Sequence, residues 1–201
     1  VTRGIDEACA RLGTDWLDVF HLHSCPLEVL RSDGVLGALD DARRAGKLRV
    51  AAYSGDGEAL AWAAASDHFG SVQCSVNLFD QGALAASVPA AAARSAGVLA
   101  KRALGNAPWR FAARPAAHDV ATYWDRMHSL ALDLGPAGWD DTALRFAAFA
   151  PGVRAALVGT TSEAHLRAAA AIVERGPLPS DVTAAIRARW NDVGRDWPGV
   201  I

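Results

Sequence analysis

The sequence LDVFHLHS, residues 17–24, decides the fold class of this chain. Its aliphatic, β-branched and aromatic residues are typical of a strand, and His23 falls where that strand meets a loop. In a βα barrel, the carboxyl ends of the strands carry the groups that perform chemistry. The stretch therefore predicts a strand with a candidate functional histidine at its end.

Strand and helix patterns alternate along the rest of the chain. Helical spacing predicts a helix over residues 2–12, ended by Gly13. Further strands are predicted at 17–23, 48–54, 71–78, 98–101 and 154–159. Further helices are predicted at 27–45, with a possible break near Gly34, and at 57–66, 83–95, 119–133, 140–149, 162–174 and 180–192. This alternation predicts one α/β domain over residues 1–201 with a parallel sheet, doubly wound or barrel-like. Periodicity alone leaves that choice open, because five strands are too few for a closed eight-stranded barrel.

The segment from residue 105 to 138 breaks the alternation. It is rich in proline and aromatic residues and contains one helical pattern, so it predicts a long connection with some structure of its own. Trp109, Trp124 and Trp139 lie in or beside it, where they could line a substrate pocket. The interpretation we favour is that these tryptophans serve as core or cover.

Composition excludes several classes of function. The chain has 201 residues, 51% of them hydrophobic and 21% charged, with a net charge of -2. The hydrophobic content predicts a buried core. The near-neutral charge does not favour a nucleic-acid partner. No apolar run approaches the ~20 residues that are needed to cross a bilayer. We expect no signal peptide. The first residue, valine, is equally consistent with a truncated or processed sequence, an unusual start codon or trimmed numbering. The scattered Cys9, Cys25 and Cys74 lack metal-ligand spacing and indicate a reduced, cytoplasmic protein without a metal site.

Five stretches, taken together, resemble the aldo-keto reductases. GTDWLDVFHLH (13–23) is similar to the family pattern LGTDYIDLYLIHWP, and AGKLRVAAYS (45–54) is similar to GKIRAIGVSN. VQCSVNLFD (72–80) is similar to VQVEYNLLDR, GVLAKR (97–102) sits where the family has GIGVIAYSPL, and VGTTSEAHL (158–166) is similar to IPGTTSPEHL. The stretches occur in family order and span nearly the whole chain.

The resemblance implies a TIM-type (β/α)8 barrel whose fourth to eighth strands are the five strands here. The family reduces small carbonyl compounds by hydride transfer from NADP(H) or NAD(H). Its proton-donating tyrosine, with a lysine and an aspartate that tune it, lies on the first three strands or their loops. None of these has a matching motif here, so the resemblance implies that the chain alone is inactive.

His23 matches the fourth member of that catalytic set. At the end of its strand, the imidazole would polarise and orient the substrate carbonyl. The alternative is a histidine satisfied by backbone groups. His21 faces the same side by strand alternation, but the spacing of the family motif selects His23.

Ser54 and Gln73 match residues that bind the nicotinamide carboxamide in the family. An asparagine normally follows the serine, but Gly55 stands there. Ser54 could instead cap a helix, since Asp56 and Gly57 make a turn plausible here. Gln73 lies in an apolar strand, where a buried amide needs partners. Asn77 could close that strand as a turn residue.

The remaining matched positions concern the charged part of the cofactor. Lys101 replaces a tyrosine that stacks on the nicotinamide, and with Arg102 it could form an anion site or lie solvated. Gly159, Thr160 and Thr161 precede a helix whose N–H groups could bind phosphate, unless Thr161 or Ser162 caps that helix. Gly159 and His165 stand where many members carry lysine and arginine for the NADP 2′-phosphate, so the preference for NADP over NAD stays open.

An incomplete barrel implies one further structural expectation and leaves one alternative function open. The first and last strands would expose unpaired edges that invite oligomerisation. The alternative function is that of a non-catalytic homologue that binds nucleotides or proteins.

Overall fold

The fold is built on one sheet of five parallel strands. The computed structural model describes residues 1–200, with the backbone alone at Pro136. The strands are β1 (Leu17–His23), β2 (Leu48–Ser54), β3 (Ser71–Ser75), β4 (Gly97–Lys101) and β5 (Ala155–Ala156). They pair in sequence order, β1-β2-β3-β4-β5, which is the arrangement of a βα barrel. The predicted class, an incomplete barrel of five parallel strands, is confirmed, and the barrel is open because β1 and β5 are not paired with each other within the described residues.

Nine α-helices lie in the described part of the chain, most of them connecting or flanking the strands. They are α1 (Thr2–Leu12), α2 (Leu27–Leu30), α3 (Asp33–Arg44), α4 (Gly57–Ala65), α5 (Ser87–Ala93), α6 (His118–Leu130), α7 (Gly138–Ala148), α8 (Glu163–Glu174) and α9 (Ser180–Val193). The helical pattern predicted over 27–45, with a possible break near Gly34, forms two helices, α2 and α3, that are separated just before Gly34. Ser32 divides the pattern, because its hydroxyl accepts a hydrogen bond from Val35 N at 3.4 Å and donates one to Val29 O at 2.8 Å, so it caps a new helix.

The two faces of the sheet differ in chemistry. Side chains at alternate positions, such as Tyr53, Val72 and Val98, are buried in the main hydrophobic core with the helices. The opposite face carries the other positions of each strand, and these include the polar residues His23 and Gln73. The core therefore lies on the helix side, and the polar side chains gather on the inner side of the open barrel.

The strands predicted at 71–78 and 154–159 are shorter in the structure. β3 ends at Ser75, and Asn77 forms a turn in which its Oδ1 accepts a hydrogen bond from Phe79 N at 2.9 Å. β5 spans two residues, although Arg154 N and Leu157 N still donate to β4 carbonyls at 2.8 Å.

The long connection has structure of its own, as predicted. It contains α6 and two short 3₁₀ turns. Phe79, Trp109 and Trp139 pack together there, with the two indole rings stacked at 5.6 Å between centroids and 11° between planes. Trp109 and Trp139 pack against a second hydrophobic core that includes Trp190 of α9. The interpretation of Trp109 and Trp139 as core and cover is confirmed.

Both edges of the sheet expose apolar side chains, as expected for an incomplete barrel. Val19 on β1 is 42% exposed, and Leu157 beside β5 is 40% exposed. Leu166, on α8 near the second edge, is 54% exposed. These edges are the surfaces that further strands would cover.

Candidate active site at the strand ends

His23, Ser54 and Gln73 form one row across three adjacent strands. In the sheet register, His23 is paired with Ser54, and Ser54 is paired with Gln73. Paired positions in a sheet direct their side chains to the same face. The three residues come from separate parts of the sequence. The fold places Gln73, in the middle of the short strand β3, level with His23 and Ser54, the last residues of β1 and β2. We call these three residues the strand-end row.

The two histidines of β1 differ in environment. His23 is exposed, whereas His21 is half-buried and its Nε2 has no hydrogen-bond partner in the described residues. Burial, followed by the charge of His23, lowers the pKa of His21. His21 therefore favours the neutral form one step deeper in the barrel, while His23 is the histidine that a ligand at the rim would meet.

Ser54 is buried without a protein partner. Ser54 is 2% exposed, and its Oγ forms no hydrogen bond in the described part of the chain. It does not cap α4, which has no side-chain cap. A buried polar atom left unpaired is costly, and this unpaired hydroxyl is level with half-buried Gln73 on the next strand.

The asparagine that the family pattern would place after Ser54 is excluded by Tyr53. A Cβ at Gly55 would clash with the Tyr53 hydroxyl oxygen and would lie 2.7 Å from carbon atoms of its ring. Tyr53 is buried, and its hydroxyl donates to Cys25 O at 3.2 Å. Glycine therefore stands at position 55 because the tyrosine occupies the space of a side chain.

Gly55→Ala is expected to lower the free energy of unfolding by about 1–3 kcal/mol, because a buried ring must move. Thermal or urea unfolding measures the change. Gly37→Ala in α3 is the matched control, since a Cβ there meets nothing within 4 Å, and helix propensity predicts a gain of up to about 1 kcal/mol. Equal effects at the two positions would contradict this explanation.

Lys101 is paired with a carboxylate that sequence reasoning treated only as a turn residue. Its Nζ lies 2.8 Å from Asp56 Oδ2, and the side chains are 14% and 7% exposed. The contact is an ion pair without hydrogen-bond alignment at Oδ2, and Asp56 Oδ1 accepts from Ser75 N at 3.3 Å. Asp56 already balances the charge of Lys101, so the ion pair neither requires nor shows a bound anion. The role of Lys101 in binding an anion stays a prediction.

The turn after β5 lies apart from the strand-end row, at the start of α8. Ser162 is the helix cap, and its Oγ accepts from His165 N at 3.4 Å. Thr160 Oγ1 in turn accepts from Ser162 N at 3.1 Å, and Thr161 is exposed. Gly159, Thr160 and His165 line a cavity of about 180 Å³. This cavity also contains Arg110, which sequence reasoning did not single out.

A buried charged network beyond the strand ends was also missed. Asp80 Oδ2 accepts from Val200 N at 3.1 Å and lies 3.9 Å from Arg126. Arg126 donates to Pro198 O at 2.6 Å, and Arg102 donates to Val200 O. Burial raises the pKa of Asp80 to about 6, against the opposing effects of the Val200 N–H and Arg126. The network holds residues 198–200 in place. This segment lies beside the rim, as shown by the 3.1 Å that would separate a Cβ at Gly199 from Asp56 Cβ.

An open sheet of parallel strands with polar groups at the strand ends defines a protein of the βα-barrel class. The chain belongs to the Aldo/keto reductase family, whose model matches residues 1–191. No curated protein matches the chain. No helix of the described residues has the length and apolar character needed to cross a membrane.

Solved structures agree with this fold. An aldo-keto reductase from Bacillus halodurans superposes with a TM-score of 0.78 in its apo form, at 17% identity over 93% of this chain and 66% of that one. Its holo form gives 0.74, at 17% identity over 94% and 66%. A candidate aldo-keto reductase from Pseudomonas aeruginosa gives 0.63, at 22% identity over 87% and 58%. The chain spans less than two thirds of the length of each, and these identities establish the fold alone.

Proposed function

We propose that the strand-end row binds the nicotinamide end of NADP(H) or NAD(H), and that His23 orients an aldehyde or ketone for reduction. One observation carries this proposal. Three residues matched from three separate stretches of sequence meet in register on adjacent strands. A structural histidine, a helix-capping serine and an isolated glutamine would have no reason to share one row at the strand ends.

The chemistry of the row fits a carboxamide. A carboxamide offers two N–H donors and one carbonyl acceptor, which complement the amide of Gln73 and the unpartnered hydroxyl of Ser54. The bound cofactor would supply the hydride. His23 would donate a hydrogen bond to the substrate oxygen, where negative charge develops as the carbonyl is reduced.

A proton donor must come from outside this row. The sequence has two tyrosines, and both are buried. The Tyr53 hydroxyl donates a hydrogen bond to Cys25 O, and burial raises the pKa of Tyr53. Burial raises the pKa of Tyr123 to about 12, and its hydroxyl lies 3.5 Å from Asp80. We infer that turnover requires three further βα units carrying the family's Asp, Tyr and Lys, and that this chain alone does not catalyse.

The adenosine and phosphate end of the cofactor would lie toward the turn after β5. The first-turn N–H groups of α8 have no intrahelical partners and favour an anion. Arg110 lies in the cavity formed with Gly159, Thr160 and His165, where a phosphate would compete for it with Asp140, 3.8 Å away and also in the cavity wall. Thr161 adjoins these residues. Lys101, at the rim between the two ends, completes the proposed set of cofactor-binding residues.

The setting of the proposed reaction is the cytoplasm. This part of the proposal is supported by the three cysteines, which are all free. We also propose that the chain forms oligomers through the two exposed edges of its sheet.

Gln73→Leu is expected to weaken NADPH binding to the 201-residue chain about tenfold, since losing the amide leaves carboxamide groups unpaired, at about 1–3 kcal/mol. Titration followed by tryptophan fluorescence measures the dissociation constant. Ser71→Ala is the matched control, on the same strand and face but two residues deeper, and it should leave the constant unchanged. Equal affinity of the Gln73→Leu variant and the wild type would contradict the proposed site.

A further inference from the structure

A second cavity lies on the outer, helical side of the molecule. It has a volume of about 230 Å³. Its walls come from the region before and within α5, from α7 and the turn after it, from the segment leading into α9 and from α9 itself. The lining residues that matter are Pro89, Phe146, Phe149, Leu178 and Arg187. Apolar walls with one convergent charged group are typical of a small-molecule site.

The two arginines of this cavity are in different states. Arg145 donates from all three of its nitrogens, to Gly176 O at 2.7 Å, to Pro177 O at 2.6 Å and to Asp141 Oδ2 at 3.0 Å, and Asp141 balances its charge. Arg187 has one long hydrogen bond, 3.5 Å to Gln81 Oε1. Burial lowers the pKa of Arg187, and no neighbouring acid opposes that effect. Within the described residues, Arg187 is thus a partly buried cation without a counter-ion.

We propose that this cavity binds a small organic carboxylate with an apolar body, held by the Arg187 guanidinium. A carboxylate would form charge-assisted hydrogen bonds with the free donors of the fork. It would also neutralise a cation whose desolvation the fold otherwise leaves unbalanced. The phenylalanine, proline and leucine side chains would contact the apolar body.

The size of the cavity limits the ligand. Its volume lies below the roughly 300–1,000 Å³ of pockets for drug-sized molecules. A single ring or a short alkyl chain bearing one carboxylate therefore suits it better than a nucleotide. The site shares no residue with the strand-end row, so it stands independently of the proposed cofactor chemistry.

Phenylacetate and its neutral isostere phenylacetamide test the proposal by calorimetric titration of the whole chain. The wild type is expected to bind the carboxylate at least tenfold more tightly than the amide. In Arg187→Gln this preference should disappear, while the affinity for the amide stays within about twofold. Arg195→Gln, which removes an exposed positive charge nearby in sequence, should keep the preference.

The melting temperature of Arg187→Gln should not fall, because the change removes an unpaired cation, and this controls for misfolding. The proposal would be overturned if neither probe binds, or if the wild type shows no preference for the carboxylate. It would equally be overturned if Arg187→Gln retains the preference, or if Arg195→Gln loses it as well.

Discussion

Lys101→Met is expected to lower the free energy of unfolding by about 3–5 kcal/mol, the cost of breaking a buried ion pair on one side. The substitution leaves the Asp56 carboxylate 7% exposed and without its cation. Methionine has a similar length to lysine, so packing is kept and the change isolates the charge. Urea unfolding followed by circular dichroism measures the effect.

Two controls separate the buried pair from an ordinary surface pair. Lys47 lies 2.7 Å from Asp6, but both side chains are about half exposed, so Lys47→Met should cost no more than about 1 kcal/mol. The double variant Asp56→Asn/Lys101→Met removes both charges and should recover most of the loss, since the asparagine Oδ1 can still accept from Ser75 N. A Lys101→Met cost as small as that of Lys47→Met would show that the buried pair is not important for stability.

The elements with clear periodicity could be predicted from the sequence. β1 and β2 coincide with the predicted strands, because their alternate residues face a core and an inner surface. The strand-end row could also be predicted, since parallel strands bring their carboxyl ends to one edge and each member lies in a matched stretch. The break expected near Gly34 is made by Ser32, whose local hydrogen bonds cap a new helix, and the apolar pattern did not single out that residue.

Contacts between distant residues could not be predicted in this way. Asp80 and Val200 are 120 positions apart, and nothing in the local pattern around either residue indicates their contact. Asp56 looked like a turn residue because its partner, Lys101, follows two strands later in the sheet. Gly55 departs from the asparagine of the family pattern, and the sequence did not show why; the space that a side chain would need there is filled by the Tyr53 ring.

His23→Leu is expected to lower kcat by about 10²–10³-fold in a completed barrel, the usual cost of losing one donor to a developing oxyanion. The completed barrel would carry the first three βα units of the Bacillus halodurans enzyme fused ahead of Val1. His21→Leu, on the same face of β1 but deeper, is the matched control and should change kcat only a few-fold. This pair distinguishes the exposed histidine from the half-buried one.

Carbonyl-dependent NADPH oxidation by the fused barrel tests the central claim most directly, once circular dichroism and gel filtration show that it folds. We predict turnover in the fused protein, a large loss in His23→Leu, and none in the 201-residue chain alone. Turnover by the chain alone that Tyr53→Phe or Tyr123→Phe abolishes would contradict this account. A folded barrel that binds NADPH but never oxidises it would also contradict it and would favour a non-catalytic nucleotide-binding homologue.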